Sequence, residues 1–244
     1  MKRKTALALV VIIAIAGFAF AQSPEPNKNM VTETLYLLPK RNMNEKLEAA
    51  LKSHNDKYHP EGPHRAALRR VDYGDKAGWY VWLMGPTTYD AFDSRPDKGA
   101  HDEDWTKNVD PLIEEYGATD FWEFDANYSF GREIMMQSGH YDVWAVKLNP
   151  GGLARFNDLI MKFKKTYEAM GNRAFLVYRN PIHRAEGADV ALLASYTSIA
   201  DWAADWKVKD AYEKLNGAGS WQLMWQTWND VVASYDEELR SFVK

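Results

Sequence analysis

The chain contains no cysteine. That single absence excludes disulfides, thiolate metal sites and a cysteine nucleophile together. It also excludes lipid attachment behind a leader peptide, which needs a cysteine at the cleavage point. A basic surplus is absent too: 30 Lys and Arg stand against 34 Asp and Glu, for a formal net charge of −4. Nucleic acid demands clustered positive charge, so it is excluded as a partner, and the acidic balance mainly reports solubility. No apolar run after Phe20 approaches the ~20 residues of a membrane-spanning helix, so no integral membrane segment is expected in the mature chain. No H-E-x-x-H, P-loop or comparable catalytic motif is present.

The N-terminus has the three parts of a secretory leader. Lys2, Arg3 and Lys4 form its positive region, Ala6 to Phe20 its apolar run, and Ala19-Phe20-Ala21 a small-x-small cleavage site. Residues 1–21 are therefore expected to be a signal peptide cleaved before Gln22, and the mature protein to be exported, periplasmic or secreted. Residues 22–30, rich in Pro and polar side chains, read as a tether. The chain beyond the tether is long enough for one large core or two small ones. Aromatic residues are frequent, with 10 Trp, 13 Tyr and 10 Phe in 244 residues.

From residue 31 the hydrophobic pattern switches repeatedly between strand and helix periods. Thr34 to Leu38 reads as a strand, and Asn42 or Asn44 caps a helix carrying Leu47, Ala50 and Leu51. Arg65 to Tyr73 and Trp79 to Met84 read as strands around the Gly74–Gly78 turn. Asp104 to Tyr116 reads as a second helix and Thr119 to Phe124 as a fourth strand. The second half repeats the order: strand Asp142 to Leu148, a helix bearing Leu153, Phe156, Leu159, Ile160 and Phe163 that ends at Gly171, and strands Arg173 to Arg179 and Asp189 to Tyr196 around the His183 loop. Short helices opened by Ser198 and Ser220 come next, then a last strand, Glu238 to Val243. Residues recur as well. His64-Arg65-Ala66 corresponds to Asn172-Arg173-Ala174, Tyr58 to Tyr167, and Thr88–Phe92 to Ser198–Trp202. A period of about 108–110 residues with one element order indicates domain duplication, not a solenoid.

A βαββαβ unit is ferredoxin-like. The long first helix, the irregular segment before the second, and the repeat matches resemble the dimeric α/β-barrel superfamily, over about residues 31 to 244. That superfamily includes antibiotic-biosynthesis-type monooxygenases, muconolactone isomerase-like and EthD-like proteins, and the haem-binding chlorite dismutase relatives. The resemblance implies an α+β chain of tandem ferredoxin-like repeats, residues 31–130 and 140–244, packed as an intramolecular pseudo-dimer. No family catalytic residue carries over, because no family motif is matched, and fold alone selects no function.

Candidate chemistry is sparse. His54, His59 and His64 are spaced by five, which does not align ligands on one helix face, and Pro60 and Pro63 place the last two in a loop. They read as solvated loop histidines. His101-Asp102-Glu103-Asp104 reads as acidic capping of a helix start. Asn149-Pro150-Gly151-Gly152 reads as a strand-to-helix turn. Trp221, Trp225 and Trp228, like Trp202 and Trp206, have the spacing of a packed helix face.

Polar-tipped rings on strands suit a surface that is only partly buried. Tyr36, Trp82, Trp144 and Tyr178 are therefore expected to line one pocket, with Arg65, Arg173 or His183 at its mouth, where an Arg beside aromatics suits a carboxylate-bearing or planar ligand. The expected function is an exported ligand-binding protein with no cofactor and no metal. The alternatives are an enzyme of the dimeric α/β-barrel kind, either a cofactor-free monooxygenase or a haem-dependent oxidoreductase, and a structural or partner-binding envelope protein. A small-molecule ligand is the expected partner. Because fused repeats can complete a barrel within one chain, either a monomer or a homo-oligomer is compatible.

Overall fold

A computed structural model describes residues 30–95 and 98–243. The leader and nearly all of the tether lie outside the described residues. The elements run in the order β1 (Val31–Pro39), α1 (Asn44–Tyr58), β2 (Ala66–Tyr73), β3 (Tyr80–Thr87), α2 (Tyr89–Asp93), α3 (Ala100–Asp104) and β4 (Ile113–Phe124). Then come α4 (Arg132–Ser138), β5 (His140–Leu148), α5 (Leu153–Met170), β6 (Phe175–Arg179), β7 (Val190–Tyr196), α6 (Ile199–Trp202), α7 (Val208–Asn216), α8 (Ser220–Val231) and β8 (Val232–Phe242).

The eight strands close into one barrel in the order β1-β3-β2-β8-β5-β7-β6-β4. Read by halves, this is β4-β1-β3-β2 followed by β8-β5-β7-β6, the same arrangement twice. Two antiparallel seams join the halves. At one, β2 meets β8, with Arg69 opposite Phe242 and Val71 opposite Arg240. At the other, β4 meets β6 through Glu123 opposite Arg179 and Phe124 opposite Tyr178. The molecule is thus a dimeric α/β barrel made by one chain.

Strand side chains alternate between the barrel interior and the outer helical layer. The outer face of the first sheet buries Leu37, Leu68, Tyr80, Trp82 and Met84 against Leu47 and Leu51 of α1. The outer face of the second sheet buries Val146, Val177, Val190 and Leu192 against Phe156, Leu159 and Ile160 of α5 and Met224 and Trp228 of α8. On α1 the buried positions are Leu47, Leu51 and His54, an i, i+4, i+7 stripe that ends in a histidine.

Several boundaries differ from the sequence expectation. The helix expected over Asp104–Tyr116 stops early. After α3 the chain widens into a π-type turn over Trp105–Val109, then tightens into a 3-10 turn over Asp110–Leu112. Pro111 has no N–H to continue a helix, and it sits at the start of that turn. Ile113 to Tyr116 instead extend β4 and pair with β1, Tyr116 lying opposite Leu37. The last strand begins at Val232, not Glu238, because Val232 to Glu237 pair with β5. Of the expected caps, Ser198 accepts a hydrogen bond from the Asp201 N–H, whereas Ser220 makes no cap bond and α8 follows Gly219 in the left-handed conformation.

Candidate metal centre and barrel cavity

Two places gather chemistry: a histidine cluster in the outer layer of the first repeat and the lumen of the barrel. The cluster is assembled by α1 and α3. His54, on the apolar stripe of α1, is fully buried, and His59, one residue past its end, is 5% exposed. His101, in α3, faces both: its Nε2 lies 3.3 Å from His54 Nε2 and 3.0 Å from His59 Nε2. Tyr58 braces α3 by donating to the Ala100 carbonyl at 2.7 Å. The π-type turn carries Trp105 over His54 at 5.1 Å between ring centroids, and Trp82 meets His59 at 5.2 Å.

The partners of the opposite ring nitrogens fix two tautomers. His54 Nδ1 lies 2.8 Å from Asp104 Oδ2, and a carboxylate can only accept, so Nδ1 carries the proton. His59 Nδ1 lies 2.9 Å from the His64 carbonyl oxygen, which also only accepts. In the neutral imidazoles both Nε2 atoms therefore turn a lone pair toward His101. The hydrogen bond from His54 holds the Asp104 carboxyl below the usual carboxylate range. Burial pushes His59 down to about 4, so it stays neutral at physiological pH.

Two lone pairs aimed at a third imidazole, with a carboxylate and a carbonyl behind them, form the arrangement that orients histidine ligands on a metal. The spacing agrees. Tetrahedral coordination at about 2.0–2.1 Å sets ligand nitrogens about 3.3 Å apart, and the three imidazoles offer ligand atoms that all lie within 4.8 Å of one another. The set does not fit haem iron. A porphyrin leaves only axial positions, on opposite sides, whereas three nitrogens converge here. The expectation of no cofactor and no metal is corrected by this cluster. His64 is not its third member: its Nε2 is bonded to the Ala91 carbonyl at 2.8 Å. The third member, His101, lies 47 residues beyond His54 and reads in the sequence only as part of an acidic helix start.

The lumen holds a cavity of about 480 Å³. Tyr36 and Tyr178 line it, together with Tyr141, Trp122, Arg69 and Arg240. Tyr36 donates to Glu238 at 3.1 Å and is itself bonded by Arg240. Arg240 also holds Glu238 at 2.6 Å.

The other expected site residues lie elsewhere. Trp82 is opposite Leu35, so its ring is on the helix-covered face, with its N–H on Asn55 at 2.9 Å. Trp144 is opposite Leu192 and stacks on Tyr235 at 5.0 Å, also outside the lumen. The four rings therefore do not line one pocket, because two occupy each parity and a one-residue difference in register reverses a side chain's face. Arg65 is exposed beside Glu61. Arg173 pairs with Asp201 and lies 3.9 Å over Trp206. His183 is exposed in the β6–β7 loop.

No protein-family model and no curated protein matches this chain. Solved structures do. A candidate monooxygenase from Lactobacillus acidophilus NCFM superposes with a TM-score of 0.54 at 11% identity, over 88% of this chain and 94% of that one. An anthrone oxidase-like protein gives 0.52 at 12%, over 89% and 94%. Chlorite dismutase from Candidatus Nitrospira defluvii, in complex with imidazole, gives 0.52 at 8%, over 89% and 93%. Their agreement over nearly the whole chain places it in the dimeric α/β-barrel fold.

Proposed function

We propose that this chain is a metalloenzyme of the dimeric α/β-barrel class, with an ion held by His54, His59 and His101. The observation that carries the reading is the pair of fixed tautomers, which aim two buried lone pairs at a third imidazole. Three imidazole ligands select a borderline divalent ion such as zinc or copper. Three protein ligands are the number typical of catalytic zinc sites, where structural sites have four. When bound, such an ion supplies Lewis acidity, or one-electron chemistry if it is copper.

The protein's own part is positional. Asp104 retains the proton on His54 Nδ1, and the His64 carbonyl does the same for His59. Trp82 and Trp105 exclude water from the inner side. Asp104, 19% exposed at its side chain, and half-buried His101 form the side from which a small molecule enters. The folds of a candidate monooxygenase and an anthrone oxidase-like protein support a redox reading over passive ligand storage.

The test is metal analysis of untagged protein, which is expected to hold one ion per chain, followed by the His101→Ala variant, which is expected to lose it. Copper-loaded parent protein, but not the variant, should consume dioxygen in the presence of a phenolic donor. A protein that takes up no zinc or copper refutes the centre, and a loaded protein that turns nothing over refutes the enzyme.

A further inference from the structure

The barrel lumen is separate from the histidine centre. Trp82, which touches His59, points outward from β3, whereas its neighbour Leu83 lines the cavity, so a sheet stands between the two places. The wall of the cavity is uneven in charge. Arg240 is neutralised by Glu238, Arg184 by Asp120, and Lys147 by Asp189 at 3.0 Å. Two guanidinium groups are not neutralised in this way. Arg69 is bonded to the neighbouring Leu68 carbonyl at 2.9 Å and lies 3.9 Å over the Phe242 ring. Arg132, at the first turn of α4 and on the rim, touches Met30 Sδ and lies 5.5 Å from the Phe124 ring. Among the described residues neither pairs with a carboxylate.

The Tyr178 phenol lines the cavity as well; burial pushes it up to about 12, so it remains a neutral donor. Two unneutralised guanidinium groups and a phenolic O–H thus face one lumen, and Arg132 reaches Tyr178 through Phe124, whose ring lies 5.4 Å from that of Tyr178. Guanidinium forks and O–H donors together match the geometry of a carboxylate. The lining also includes apolar and aromatic side chains, among them Trp122, Leu176, Leu193 and Met135. Tyr36 lines the same lumen, with its hydroxyl held by Glu238 and Arg240.

We infer that the lumen binds an organic carboxylate with a flat apolar body, its acid group on Arg69, Arg132 and Tyr178. A cavity of about 480 Å³ has the size of pockets that enclose small organic ligands. The apolar walls hold the body. This occupancy does not depend on the metal reading.

The test uses 2-naphthoate and its neutral counterpart, 2-naphthamide, in calorimetric titration of the full chain. The acid is expected to bind at least tenfold more tightly than the amide. Arg69→Met should weaken the acid by about ten- to hundredfold and leave the amide unchanged, in line with loss of a charge-assisted bond. Arg132→Met, on the exposed rim, repeats the test should Arg69→Met fail to fold. Chelator treatment and His101→Ala should leave acid binding intact, so failure of the metal centre and failure of the lumen site give different results. Equal affinity for acid and amide, equal loss of both in the variants, or loss of acid binding with the chelator would each overturn the inference.

Discussion

Asp142 offers a stability test whose size follows from its surroundings. It points outward from β5 beneath α6, 8% exposed, where the Ala194 N–H donates to Oδ1 at 3.0 Å and the nearby Glu237 adds a second negative charge. Burial raises its pKa to about 7. In the unfolded chain the same carboxyl loses its proton near ~3.9. Between those values the folded state binds more protons than the unfolded state, so stability must fall as pH rises from about 4 to about 7 and then level off. A gap of about three pH units corresponds to about 4 kcal/mol. Asn at this position keeps the acceptor for Ala194 and cannot ionise. Asp142→Asn is therefore expected to match the parent near pH 4 and to exceed it at pH 8 by about 2–4 kcal/mol, or on the order of 10 °C in Tm for a domain of this size. Urea unfolding of both proteins at pH 4, 6 and 8 measures the difference, and titrations common to both cancel. If the parent instead gains on Asp142→Asn between pH 4 and 8, the buried carboxyl is charged in the fold and the reasoning fails.

Two further substitutions test other parts of the structure. Trp82→Ala removes a core ring and its bond to Asn55, and should cost about 3–5 kcal/mol in chemical denaturation; an unchanged stability would mean that the outer layer does not depend on it. Arg173→Met leaves Asp201 without the partner that holds its carboxyl far below the ordinary range, and should cost about 1 kcal/mol at neutral pH. Because that pKa is depressed, the deficit should shrink as pH falls below about 4, and a deficit that grows in acid would refute the assignment.

The duplication was legible because both halves carry the same alternation of strand and helix periods and the same residues at matching places, such as Arg65 and Arg173. Strand parity was not. Tyr36 and Trp82 have similar chemistry, and only the pairing of Leu35 with Trp82 shows that they face opposite ways. The π-type turn was illegible as well, since Asp104–Tyr116 carries a helical pattern that pairing with β1 overrides. The histidine centre escaped for a different reason. His54 and His59 were visible, but their partner comes from another helix, and nothing local marks His101 as more than part of a charged helix start. The one signal within reach was His54 itself, placed on the same stripe as Leu47 and Leu51, where a solvated histidine does not belong.

A barrel built from two identical chains must accept every substitution twice, once on each side of its axis. Fusion removes that obligation. Here one flank carries three imidazoles and a carboxylate, while the corresponding flank of the other half is filled by Phe163, Tyr212, Trp221 and Trp228. Among the described residues the joined chain therefore carries the histidine cluster once, and its second half is free to serve as the rigid wall against which the first is held.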